Sequence, residues 1–249
     1  MFETLLYIAL GAVMGTLGGV FGIGGGLIAI PALGVLFGVD QQLAQGTSLV
    51  MVVPNVLLAL WRYHQRRPIP WRNALPLASG GLVFAWLASV LAAGLDPASM
   101  RVGFVAFLLV LVVYNIAQMF LRPVNGTGEM RHSWPWLGVL GGFSGVIGGF
   151  FGVGGAVLAT PVLTSVFGTT QIMAQGLSLA LAAPSTSVTL LTYAVHDHVD
   201  WAMGVPMAIG GLLSISWGVK IAYSLSETVL RGSFCVFLLL CAILLLFKV

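Results

Sequence analysis

Polar and apolar positions in this chain fall in long separate blocks. Six continuous apolar runs, at roughly 42–61, 74–94, 101–121, 172–195, 202–223 and 230–248, match the about 17 to 25 residues that one bilayer crossing needs. Two more stretches, about 4–38 and 134–168, are too long for one crossing, and dense glycine interrupts each near its middle. This pattern predicts an all-α polytopic membrane protein. A transmembrane β-barrel is excluded, because its strands alternate apolar and polar residues.

Shifting the chain by 130 residues superposes the blocks. Between residues 15 and 82, 27 of 68 positions are identical to their partners, without a gap. Gly15 to Pro31 falls on Gly145 to Pro161, Gln41, Gln45, Gly46 and Ser48 fall on Gln171, Gln175, Gly176 and Ser178, and Tyr63 falls on Tyr193. Shared apolar bias does not place so many Gly, Pro and Gln residues in one register, so the chain consists of two homologous halves. Such internal repeats are typical of secondary transporters.

Composition adds the solvent and the orientation. Only 7% of the residues are charged, against about 25% in a soluble domain, which excludes a soluble enzyme. The loop 62–73 carries Arg62, Arg66, Arg67 and Arg72, whereas its repeat partner 194–200 carries Asp197 and Asp200 without Lys or Arg. Basic loops stay cytoplasmic, so equivalent loops are expected on opposite faces. The expected fold is therefore a pair of inverted-topology repeats, each a Gly-broken helical hairpin plus three transmembrane helices. The boundaries are 1–123 for the N-terminal repeat, 124–133 for a cytoplasmic linker and 134–249 for the C-terminal repeat, together one integral membrane domain. Arg122, Arg131, Lys220 and Arg231 then lie inside with the first four arginines, Arg101 and Lys248 lie outside, and both termini face out.

The glycine breaks are the first candidate site. Irregular backbone at membrane depth persists only where protein or a water-filled cavity satisfies it. Gly22, Gly24, Gly25 and Gly26, and in the second half Gly152, Gly154 and Gly155, can take backbone angles closed to other residues. A helix that starts after such a break presents free N–H groups and the positive end of its dipole, which suits an anion. Pro31 and Pro161 follow the breaks, either in the first turns of the new half-helices or as kinks in them. The competing role for these glycines is close helix packing.

Neutral polar residues form the second candidate. Gln45, Gly46, Thr47 and Ser48 match Gln175, Gly176, Leu177 and Ser178, and Asn55 matches Ser185. Amides and hydroxyls can hydrogen-bond an oxyanion without a permanent buried charge; helix capping and interhelical bonding are the alternatives. No nucleophile with a base and an orienting partner stands out, so no enzyme, catalytic residue or cofactor is expected. The histidines fall in predicted loops, and no metal site is expected.

These residues resemble a known family. Gly-Gly-x-Phe-Gly-x-Gly-Gly-Gly followed by Pro31, then Ala44-Gln-Gly-Thr-Ser-Leu49, is similar to the TauE/SafE sulfite exporter family of bacterial permeases, and the degenerate copy at 148–161 and 174–179 strengthens the likeness. The resemblance covers almost the entire chain. It implies a multi-pass anion permease of the bacterial inner (cell) membrane, acting on sulfite, organosulfonates or related small anions, usually by export. It also implies that the two glycine motifs and the Gln-Gly-x-Ser segments form the pocket. The second copy departs from the first at Ala156 and Leu177, which predicts an asymmetric pocket if Gly26 and Thr47 contact substrate.

The functional expectation is a secondary transporter with alternating access around a midplane site between the repeats. The alternative is a passive anion or small-solute channel with aquaporin-like inverted half-helices, although the Asn-Pro-Ala pair of that architecture is missing. The expected partners are the lipid bilayer and a small anion, with no nucleic acid. The exact anion, the coupling ion and a homo-oligomer stay open.

Overall fold

A computed structural model describes residues 2–121 and 134–246. The linker expected at 124–133, with Arg122, Arg131 and Lys248, lies outside the described residues. Among those described, the ordered elements are helices: α1 (Phe2–Phe21), α2 (Gly26–Phe37), α3 (Gln41–Arg66), α4 (Trp71–Ala93), α5 (Pro97–Leu121), α6 (Trp134–Phe151), α7 (Ala156–Ser165), α8 (Gln171–Val195), α9 (Trp201–Ser224) and α10 (Glu227–Leu246). The order long, short, long, long, long occurs twice, once in each sequence half.

Among the described residues, seven helices are long and apolar enough to cross a membrane: α1, α3, α4, α5, α6, α8 and α9. Their outer surface carries bare apolar side chains, such as Val195 at 80% exposure and Leu213 at 71%, while Gln45, Asn55 and Gln175 are 0% exposed at the centre. Polar inside and apolar outside is the distribution that lipid stabilises, since hydrocarbon cannot satisfy polar groups.

The two glycine-broken stretches fold back on themselves, but unequally. α1 has 20 residues and α2 has 12; α6 has 18 and α7 has 10. The break sits beyond the middle because the earlier glycines of α1 and α6 stay helical and serve packing. Chain reversal is evident at both breaks. Ile23 N–H donates to the Gly18 carbonyl and Val153 N–H to the Gly148 carbonyl, each at 3.1 Å. Gly25 then lies against the Met14 carbonyl and Gly155 against that of Ser144. At the far end of the first hairpin the Tyr7 and Phe37 rings are 5.2 Å apart, so α2 returns along α1.

The halves interlock by exchange. α1 packs on α9 with Gly11, Gly15 and Gly19 facing Met207, Gly211 and Ile215. α6 packs on α4 with Gly141, Gly145 and Gly149 facing Leu77, Gly81 and Ala85. Numbers rise together in both pairs, so both run parallel. A Cβ on Gly15 would sit 2.5 Å from the Gly211 Cα, and one on Gly145 2.5 Å from the Gly81 carbonyl oxygen. Backbones this close maximise dispersion, which dominates helix association where lipid removes the hydrophobic drive. α3 and α8 cross at the centre in opposite senses, because the start of each meets the end of the other: Gln45 with Tyr193 and Gln175 with Tyr63.

Candidate functional site

The breaks are glycine because their backbone requires it. Gly22, Gly24 and Gly25 have φ of 67°, 72° and 95°, and Gly152, Gly154 and Gly155 have φ of 69°, 73° and 73°. An L side chain in this left-handed region costs about 1–2 kcal/mol. Gly25 and Gly155 are the N-cap residues of α2 and α7, and neither helix start has a side-chain cap. The leading N–H groups of each half-helix have no intrahelical acceptor. The two breaks also approach one another, since a Cβ on Gly26 would lie 3.5 Å from the Gly152 carbonyl oxygen. Pro31 and Pro161 sit inside α2 and α7, which continue through them.

Each break packs against the glutamine of the other half. A Cβ on Gly22 would be 2.8 Å from Gln175 Cβ, and one on Gly152 would be 3.2 Å from Gln45 Cβ. Tyr63 Oη donates to Gln175 Oε1 at 2.9 Å, and Tyr193 Oη donates to Gln45 Oε1 at 2.7 Å. The arrangement is a reciprocal pair of tyrosine–glutamine bonds, one toward each end of the α3–α8 crossing.

The symmetry fails at one donor. Gln175 Nε2 donates to the Val20 carbonyl at 3.2 Å, whereas Gln45 Nε2 is buried without a partner. Asn55 shows a related imbalance: Nδ2 donates weakly to the Gly24 carbonyl at 3.5 Å, and Oδ1 is buried without a partner. A buried polar group left unpaired costs about 1–3 kcal/mol. Both orphan atoms belong to residues packed on a glycine break.

Other candidates lie farther from this centre or are already bonded. Gly46 lies against the His198 carbonyl, and the Thr47 hydroxyl accepts from Asp200 N–H at 2.9 Å, so both meet the α8–α9 turn. Gly176 packs on Ile69. Ser48 donates to the Gln45 carbonyl at 2.8 Å, Ser185 donates to that of Leu181 at 2.8 Å, and Ser178 accepts from Thr160 at 2.9 Å. Gly154 abuts Thr186, as Gly24 abuts Val56. The residues brought together are Gly22, Gly24, Gly25, Gly26, Gln45, Asn55, Gly152, Gly155 and Gln175. Tyr63, Tyr193 and Thr160 were not among the expected site residues. The repeat register pairs the two tyrosines, which was the available signal.

An apolar-surfaced helical fold with a neutral polar centre at two helix breaks suits moving a solute through the bilayer; this is a multi-pass membrane transporter, not an enzyme. The sequence model of the sulfite exporter TauE/SafE matches residues 7–245. The chain belongs to the TauE/SafE family. It is 27% identical over 250 residues to a probable membrane transporter protein of Methanocaldococcus jannaschii, covering 92% of each chain. It is 28% identical over 242 residues to a probable membrane transporter protein of Xylella fastidiosa, covering 92% of this chain and 90% of the relative. A third relative, a probable membrane transporter protein of Bacillus subtilis, is 21% identical over 246 residues, with 87% and 88% covered.

Proposed function

We propose that the protein is a secondary transporter that exports a small sulfur-containing anion, such as sulfite or an organosulfonate, across the cell membrane. The anion binds at the glycine breaks between two inverted-topology halves, bounded at 1–123 and 134–249, and access alternates around it. The unpaired Gln45 Nε2 carries this reading. It is a fully buried, unused donor beside the uncapped start of α7, and such a donor without permanent charge suits an oxyanion. Gln45, Asn55 and the glycines around them form the core of the site; Ser48, Ser178, Ser185, Gly46, Gly176 and Thr47 support it from outside.

The antiparallel α3–α8 crossing and the reciprocal α1–α9 and α4–α6 packing support inversion of the halves. The two tyrosine–glutamine bonds then serve as gates, one for each side of the membrane. Interhelical hydrogen bonds in membranes are worth about 0.6 kcal/mol on average and about 1.7 at most, so either gate opens at a cost thermal motion supplies. Both termini face out, and the arginine-rich α3–α4 loop faces the cytoplasm.

The test is binding and uptake in proteoliposomes with sulfite, sulfate, sulfoacetate and thiosulfate, with and without a pH gradient. Sulfite or a sulfonate is expected to bind saturably, and Gln45→Ala to weaken it. No response to any of the four anions would remove the substrate assignment.

A further inference from the structure

A second feature lies away from the glycine breaks. A groove of about 600 Å³ runs between α3 and α9, with Arg62, Arg66, Lys220, Leu58, Leu212 and Trp217 in its lining. The lining holds three cations and no carboxylate. Arg62 Nε is buried without a hydrogen-bond partner. The Arg62 guanidinium stands 4.7 Å from the Trp61 ring centre, and that of Arg66 stands 5.0 Å from the Tyr223 ring centre. The groove opens sideways: Trp217 is 70% exposed, and Leu213, also in its lining, faces outward. Cations at the helix ends with leucines beside them and tryptophans at the rim match the layers of a bilayer interface.

We propose that this groove binds an anionic phospholipid, its phosphate held by Arg62, Arg66 and Lys220 and its acyl chains lying along Leu58 and Leu212. The internal repeat acts as a control. A shift of 130 residues replaces Arg62, Arg66, Trp217 and Lys220 by Thr192, His196, Leu87 and Val90. The same helix pairing in the other half thus lacks these Arg and Lys residues, and packing does not demand them. A free oxyanion needs the charges but not the leucines or the lateral opening, so the groove fits a lipid headgroup better.

The experiment is native mass spectrometry of the full chain in detergent, offered equimolar phosphatidylglycerol and phosphatidylcholine. Phosphatidylglycerol should dominate the bound lipid, and its preference should fall about fivefold for each cation removed in Arg62→Gln and Lys220→Gln. Arg62→Lys should keep most of the preference. Arg101→Gln, which removes a cation at the start of α5, should leave it intact and so reports on general charge loss. Excess inorganic phosphate should displace no more phosphatidylglycerol than sodium chloride of equal ionic strength. Equal binding of the two lipids, a preference that survives the double variant, or specific displacement by phosphate would overturn the proposal, the last in favour of a free-anion site.

Discussion

Gln45 and Gln175 occupy equivalent repeat positions, yet the structure predicts opposite consequences for the same substitution. Methionine keeps the length of the side chain and removes the amide. Gln175→Met breaks two buried bonds, the one from Tyr63 at 2.9 Å and the one to Val20 at 3.2 Å. At about 0.6–1.7 kcal/mol each this costs about 1–3 kcal/mol, somewhat eased because Tyr63 Oη keeps the Gly19 carbonyl at 3.2 Å. Gln45→Met breaks one bond, from Tyr193 at 2.7 Å, and eliminates an orphan Nε2 whose burial costs about 1–3 kcal/mol. The two terms nearly cancel. Thermal unfolding in detergent should therefore leave Gln45→Met near wild type and lower Gln175→Met by several degrees, at about 2–4 °C per kcal/mol for a chain of this size. Sulfite binding should show the reverse order, with Gln45→Met the weaker binder. Equal melting shifts, or unaltered anion affinity in Gln45→Met, would mean that the two glutamines do not divide into a structural and a binding residue.

Further expectations follow from other contacts. Gly22→Ala adds left-handed strain of about 1–2 kcal/mol and drives a methyl into Gln175 Cβ, whereas Gly38→Ala carries a similar φ of 69° with nothing within 4 Å. Melting and uptake should show Gly38→Ala mildly destabilised with transport kept, and Gly22→Ala impaired in both. Thr47→Ala removes the acceptor of Asp200 N–H, so it should lower the melting temperature by a few degrees, consistent with about 1 kcal/mol, and preserve sulfite affinity. In a background with Cys235 and Cys241 replaced by Ser, Gln65→Cys should react with an impermeant thiol reagent only from the cytoplasmic side and His196→Cys only from outside. Labelling of both from one side would contradict inverted halves.

The sequence revealed what depends on local chemistry. The breaks were legible because the six positive-φ positions at the two breaks, Gly22, Gly24, Gly25, Gly152, Gly154 and Gly155, are all glycine, and the all-helical membrane fold was legible because apolar runs leave few alternatives. The repeat register paired Tyr63 with Tyr193, and Gln45 with Gln175. It did not disclose that each tyrosine bonds the glutamine of the other half, because identity at a fixed shift carries no information about how two helices cross. Gly46 and Thr47 looked like pocket residues for the same reason: they share a motif with Gln45, but helical rotation turns them toward the α8–α9 turn. The unequal hairpins were hidden as well, since a glycine that lets helices touch and one that breaks a helix are the same letter.

In the proposed mechanism one buried neutral site serves both sides of the membrane in turn. Counterflow of labelled sulfite in proteoliposomes reports on this alternation. Flux should be saturable, faster when unlabelled sulfite is present on the opposite side and reduced in Gln45→Ala. Flux that rises linearly with concentration and ignores the opposite compartment would contradict alternating access, and the absence of any sulfite or sulfonate flux would contradict the substrate.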